Sequence, residues 1–174
     1  MFSFPPIPPL EGMHPLVVHF PLGLLMVAWI PMLLCLVDKQ RRSAWIQTTL
    51  TLLILGTLFT FAAIFTGEAT EEIIGTASQE IHDAVHEHEE TAESARNFFI
   101  VTTVLFAFIP IARAKLEQSK KKSAITVIAI LIAISYGLGT LTLANAGHQG
   151  GLLVHHHGIH APVGTFGPAS RDAP

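Results

Sequence analysis

Histidine is the residue type whose placement in this chain indicates chemistry. The ten histidines form three groups, at His14 and His19, at His82, His86 and His88, and from His148 through His155, His156 and His157 to His160. Imidazole ligates transition metals and haem iron, and it titrates near neutral pH. Clustered histidines therefore predict a metal, haem or pH-sensitive site, and histidines incidental to a solvated surface are the alternative.

Four apolar runs must position these histidines. Half of the 174 residues are hydrophobic, 13% are charged and the mean hydropathy is +0.51, which excludes an ordinary water-soluble domain. A helix needs about 20 apolar residues to cross a bilayer, and the third run is short enough to need an extra turn from its polar upstream flank. We expect an all-α, polytopic membrane four-helix up-down bundle at 14–160, with outer tails at 1–13 and 161–174. The runs cover residues 16–37, 44–66, 98–112 and 124–146.

The cations indicate the orientation of this bundle. Eight of the ten lysines and arginines lie in the two short loops that join the first two runs and the last two: Lys39, Arg41, Arg42, Arg113, Lys115, Lys120, Lys121 and Lys122. By the positive-inside rule these loops are cytoplasmic. Both termini, all the histidines and the acidic loop at 67–95 are then extracytoplasmic. We expect a multi-pass protein of the cell inner membrane with its histidine cluster on the periplasmic side.

The first group of histidines lies at the start of the first helix. In an up-down bundle the outer ends of helices one, three and four are neighbours, so the three groups can converge. Pro15 suits the first turn of a helix and leaves His14 as a flanking residue at the membrane surface. Pro21 removes a backbone hydrogen bond, so it predicts a kink or the true start of the helix. His19 is expected to be the most buried histidine, beside the space opened by Gly23.

The second group precedes the third helix. His82 and His86 are four residues apart, on one face of a helix, and Asp83 lies three residues before His86. A carboxylate three residues before a histidine also occurs in di-iron bundles. We expect a helix from about position 80 or 90 that continues unbroken into the membrane, with His86 facing the bundle axis. For His88 we prefer an incidental position on a solvated acidic helix.

The third group follows the fourth helix. We expect the chain to turn at three glycines, Gly147, Gly150 and Gly151. The apolar residues 152–154 then fold back onto the outer end of the bundle. This return would bring the histidines at 155–157 toward His19.

Two motifs carry a family resemblance. "HPLVVHFPLGLL" at 14–25 and "GHQGGLLVHHHG" at 147–158 resemble the opening and closing signatures of a bacterial membrane family, domain of unknown function 2231. The resemblance covers about residues 14–160. It implies four helices, and it singles out His14, His19, His86 and His157. This sequence departs from the family pattern in "TGEATEE" after helix two and in extra histidines at 155, 156 and 160, which leaves the ligand within each group open. A family without an assigned activity implies an architecture only.

Haem b is the cofactor that we expect first. Haem iron takes two axial imidazoles, and a helical bundle supplies an apolar slot for the porphyrin. Covalent attachment is excluded because the only cysteine, Cys35, is in no C-x-x-C-H motif. We expect His19 and His86 as axial ligands of one haem, with His14 and His157 holding a second haem or contacting propionates. Alternates within the groups are His82, His148 and His155.

Electron transfer is the function that this pattern favours. The apolar runs contain no aspartate or glutamate, and no catalytic constellation is recognisable. A periplasmic or membrane redox partner is expected, such as a cytochrome c or a larger complex, and a basic partner would be steered by the acidic outer loop. Other readings are a histidine-bound Zn, Cu or Ni ion and a non-catalytic assembly subunit or pH-responsive protein. A nearly apolar midplane disfavours a transporter, and nothing indicates nucleic-acid binding.

Overall fold

The described part of the chain folds into four long helices. The computed structural model describes residues 7–71, 74–75, 77–111 and 122–160. Each helix contains a stretch long and apolar enough to cross a membrane, and the described residues contain no strand. The prediction of an all-α membrane bundle is therefore confirmed. After a short 3-10 turn at Leu10–Gly12, the helices are α1 (His14–Val37), α2 (Arg42–Glu71), α3 (Gln79–Ala107) and α4 (Lys122–His155).

Helix α1 is interrupted at two prolines. Regular helix is broken at Val18 and at Ala28, and Pro21 and Pro31 each lie three residues beyond a break. A proline has no N–H to donate to the carbonyl four residues earlier, so the helix departs from regular geometry just before it. An interruption is thus observed at Pro21, where the missing N–H predicted a kink or a helix start, and Pro31 adds a second interruption. The segments are His14–Val17, His19–Val27 and Trp29–Val37.

Helix α3 begins well before its apolar run. It is unbroken over Gln79–Ala107, so the short third run does draw on its polar upstream flank, as predicted. From Ala95 onward the buried residues follow at intervals of three and four, which is the spacing of one helix face. This face is formed by Val85, Ala95, Phe99, Thr102 and Phe106.

Helix α4 does not turn at its glycines. It continues through Gly147, Gly150 and Gly151 to His155, so the predicted fold-back of residues 152–154 is wrong. Glycine is tolerated in membrane helices, where it allows close packing. The left-handed conformation that ends this segment occurs later, at Gly158, with φ of 69°.

Glycines let large side chains pack between paired helices. Leu25 of α1 is fully buried against Gly56 of α2, and Phe99 of α3 is fully buried against Gly139 of α4. Close approach at small residues is the usual way that membrane helices associate. Hydroxyl groups add hydrogen bonds between helices, since Thr102 donates to Ser135 across 2.9 Å.

A compact turn joins α1 to α2 at the end opposite the histidines. The Asp38 carboxylate accepts hydrogen bonds from the Trp45 indole N–H and from the Arg41 backbone N–H, both at 3.1 Å. The bond from Trp45, followed by that from Arg41, lowers the pKa of Asp38. The charged form of Asp38 therefore holds this turn at neutral pH.

The orientation of the bundle stays a prediction. The described helices alternate in direction, but most of the second cationic loop and the predicted tail at 161–174 lie outside the described residues. We expect a C-terminal alkaline phosphatase fusion, active only outside the cytoplasm, to be active. A fusion that is inactive, while a C-terminal fluorescent protein that matures only in the cytoplasm is bright, would invert the topology.

Candidate functional site

A cavity of about 760 Å³ lies at the histidine-bearing end of the bundle. All four helices line it, and most of its lining surface is apolar. The volume is in the range of pockets that bind cofactors and other small molecules. Its apolar wall includes Val18, Ala63, Ala92, Leu143, Ala146 and Leu153.

His14 is the first residue of α1 and is fixed against α2. Its Nδ1 lies 2.9 Å from the Ala63 carbonyl oxygen and 3.3 Å from the Thr66 hydroxyl. The ring lies over Gly67, where an added Cβ would come within 3.2 Å of Cε1. Because a carbonyl only accepts, Nδ1 carries the proton, and the lone pair of Nε2 is left for a ligand.

His88 occupies the corresponding place on α3 and packs against α4. Its ring covers Gly150, where an added Cβ would lie 3.3 Å from Cε1. The Ala146 carbonyl lies beside the ring, yet the buried Nδ1 makes no hydrogen bond of good geometry within the described residues. A buried nitrogen without a full partner is uncommon and calls for a ligand or an adjusted ring.

The structure brings His14 and His88 together across the cavity. Their ring centroids are 6.2 Å apart and their planes are nearly perpendicular, at 89°. Both rings are half-buried. The two helices thus present one imidazole each to the same space.

His19 is not buried as predicted. Its side chain is exposed at the edge of the cavity, and its Nδ1 lies 2.6 Å from the Pro15 carbonyl oxygen in its own helix. The buried face of α1 runs through Pro21 and Leu25, and a residue two positions before Pro21 points away from that face. Gly23 opens onto empty space rather than onto the bundle.

His86 borders the cavity but is largely exposed, so the expectation that it faces the bundle axis is wrong. Its side chain is 71% exposed and lies 3.4 Å from the Glu90 carboxylate one turn further along α3. His88 takes the inward place that was predicted for His86. The sequence does hold a signal for this, because alternating steps of four and three residues back from the buried Phe99 lead through Ala95 and Ala92 to His88.

The remaining histidines do not complete a cluster. His155 borders the cavity, whereas His156 and His157 contact each other with centroids 4.7 Å apart. His148 and His160 are exposed, and His82 is half-buried. Over the described ranges, no three His, Cys, Asp or Glu side chains are grouped as metal ligands. His14, His19, His86 and His157 are therefore not assembled around one point, and a ligand role for each stays a prediction.

Carboxylates surround the polar side of the cavity. Glu93 pairs with Arg96 across 3.2 Å, and the Arg96 guanidinium lies 5.4 Å from the centre of the Phe61 ring on α2. Gln149 of α4 donates to the Glu87 carboxylate of α3 across 2.9 Å. These contacts tie α3 to its neighbours around the site. The carboxylates that line it are Glu68, Glu89, Glu90 and Glu93.

Comparison with known proteins places this architecture in a family. No curated protein and no solved structure is significantly similar to the chain. A family model described as a predicted membrane protein, DUF2231, matches residues 11–162, which include all four helices and both histidines of the facing pair. The chain therefore belongs to the DUF2231 family of predicted membrane proteins.

Proposed function

We propose that this protein holds haem b without a covalent bond in the outer cavity and passes single electrons at the outer face of the inner membrane. The observation that carries the proposal is the facing pair of His14 and His88. Bound haem supplies one-electron redox chemistry. The protein supplies two imidazoles, an apolar slot and a charged rim.

The separation of the two rings supports this ligand pair. A bond between a transition metal and an imidazole nitrogen is about 2 Å long, and the ring centre lies about 1.1 Å beyond the nitrogen. Two imidazoles on opposite sides of one ion therefore have centres about 6 Å apart. The observed separation is 6.2 Å. No large movement of α1 or α3 is needed to bring the rings to that spacing.

The contacts of His14 also suit a ligand. Histidines that bind metals usually donate their other ring N–H to a carbonyl or carboxylate, which fixes both the tautomer and the ring. The Ala63 carbonyl provides that acceptor for His14. Gly67 lets the ring lie close to α2, where any larger residue would displace it.

A bare metal ion fits the described residues less well. Structural zinc sites take four protein ligands and catalytic sites take three. In the part of the chain that the structure describes, no three candidate ligand side chains are grouped in this way. A porphyrin already provides four nitrogen ligands to its iron, so the protein needs to provide only two imidazoles.

Electron transfer is the activity that we assign to the bound group. Carboxylates such as Glu90 and Glu93 line the cavity and would attract a basic redox partner, a soluble cytochrome c or a subunit of a larger complex, by electrostatic steering. We place the site on the periplasmic side, since the cations predict that orientation.

Titration of the detergent-purified apoprotein with ferric haem tests this proposal. We expect saturation at one haem per chain and the absorption bands of low-spin iron, in both oxidation states. Failure to bind haem, with the four helices intact by circular dichroism, would refute it. A histidine-bound metal or a non-catalytic assembly subunit would then be the better account.

A further inference from the structure

A short sequence recurs in α2 and α4. The tetrapeptide LGTL occupies residues 55–58 and again residues 138–141, an offset of 83. With this offset, Ala63 corresponds to Ala146, and Gly67 corresponds to Gly150. Six of the fifteen positions from 53–67 are identical in 136–150. These identities include the glycines that contact His14 and His88.

Helices α1 and α3 differ in sequence but share a pattern of buried and exposed positions, at an offset of 74 residues. The fully buried Leu25 corresponds to the fully buried Phe99, and Ala28 corresponds to Thr102. From 14–28 and 88–102, every pair has the same degree of burial except two, Pro15 with Glu89 and Met26 with Ile100. His14 corresponds to His88 in this register.

The contacts between helices obey both offsets at once. Leu25 packs on Gly56 as Phe99 packs on Gly139. His14 packs on Gly67 as His88 packs on Gly150. One offset was found by aligning α2 with α4 and the other by aligning α1 with α3. Because the contacts between paired helices agree with both offsets, the two hairpins have the same internal packing.

The third pair of contacts is between each histidine ring and a backbone carbonyl of the neighbouring helix. His14 Nδ1 is bonded to the Ala63 carbonyl, and the carbonyl beside the His88 ring belongs to Ala146, the residue that corresponds to Ala63. Each histidine therefore lies on a glycine and beside a carbonyl at corresponding positions of its neighbouring helix, and the hydrogen bond to that carbonyl is formed at His14. Because both hairpins run in the same direction, a repeat of this kind implies an axis that is parallel to the helices and passes between the two rings.

We propose that the α1–α2 and α3–α4 hairpins are structural repeats and that His14 and His88 are the two equivalent half-sites of one binding site. Each half-site holds an imidazole on a glycine and beside a carbonyl, which is bonded to Nδ1 at His14 and which we expect to orient Nδ1–H at His88 as well. Each therefore offers Nε2 to a single ligand on the axis. That this ligand is haem rests on the proposed function, whereas the equivalence of the half-sites does not.

The repeat also accounts for what distinguishes the two sides of the site. Pro15 and His19 of α1 line the cavity where α3 has Glu89 and Glu93. The α1 side thus lacks carboxylates and the α3 side carries them, whereas α2 adds Glu68. A ligand on the axis meets one imidazole from each hairpin, so one ligand binds per chain. Because the other lining residues differ between the two sides, that ligand has a preferred orientation.

The protonated nitrogen of each histidine tests the equivalence without any bound ligand. We would record ¹⁵N–¹H correlation spectra of the full-length apoprotein, labelled at histidine, at about pH 8.5, where imidazoles are neutral. Signals are assigned by His14→Gln, His88→Gln and His86→Gln. We expect the Nδ1–H tautomer at both His14 and His88, and the Nε2–H tautomer usual in water at the exposed His86.

Two glycine variants test whether each histidine ring responds to the glycine on which it packs. Gly67→Ala should shift the signals of His14 and leave those of His88 in place, and Gly150→Ala should do the reverse. A His88 with its proton on Nε2, or glycine variants that disturb neither ring, would overturn the equivalence even if haem binds. Two Nδ1–H tautomers in a protein that binds no haem would support the half-sites and refute the haem proposal alone.

Discussion

Replacing His88 by alanine is expected to weaken haem binding on the order of 100-fold or more and to abolish the low-spin spectrum. His88 presents one of the two imidazoles that face each other across the cavity, at 6.2 Å from His14. Haem iron that loses one strong axial ligand is left five-coordinate or takes a weaker ligand. Titration of the variant with ferric haem, followed by absorption, measures the loss.

His86→Ala is the matched control for this experiment. It removes an imidazole from the same helix two residues earlier, where the side chain is 71% exposed. We expect wild-type affinity and a wild-type spectrum. A second pair on α1 repeats the comparison, since His14→Ala should act like His88→Ala, and His19→Ala should act like His86→Ala. Loss of binding in His19→Ala and His86→Ala, with His14→Ala and His88→Ala unaffected, would restore the ligand pair first expected from the sequence.

Gly56→Ala is expected to destabilise the bundle. The added Cβ would lie 2.5 Å from Leu25 Cδ2, and Leu25 is fully buried and has little room to move. Overpacking of this kind costs about 1–3 kcal/mol, which exceeds the gain of about 1 kcal/mol from replacing glycine by alanine within a helix. The midpoint of thermal unfolding in detergent should fall.

Gly23→Ala controls for the helix propensity of alanine. Gly23 lies in α1, where an added Cβ meets nothing within 4 Å. Its unfolding midpoint should stay constant or rise. If Gly56→Ala were as stable as Gly23→Ala, close packing of Leu25 on Gly56 would not hold α1 to α2.

The fold was predictable because hydropathy reports directly on membrane insertion. Four apolar runs predicted four helices, and the short third run predicted an early start for α3, which begins at Gln79. Pro21 predicted a kink for a purely local reason, the missing N–H. The glycines of α4 led to the wrong prediction of a turn. A glycine can mark either the end of a helix or a close contact between helices, and only its packing partner distinguishes the two. At Gly150 that partner is His88.

The inward histidine was harder to predict because burial depends on the register of the whole helix. His86 and His88 lie in the same polar segment, and the pattern His82 to His86 favoured the wrong one. The register is set by Phe99, inside the membrane, and it places His88 on the buried face. The two LGTL segments carry the same information, since they align Gly67 with Gly150 and so indicate a matching histidine on α3.

The electron paramagnetic resonance spectrum of the ferric, haem-loaded protein tests the central claim most directly. Low-spin iron between two imidazoles with perpendicular planes gives a strongly anisotropic signal, and the planes of His14 and His88 meet at 89°. We predict that signal in the wild-type protein and in His86→Ala, and its loss in His14→Ala and His88→Ala. A high-spin signal in the wild-type protein, or a low-spin signal that survives both substitutions, would contradict haem ligation by the His14–His88 pair.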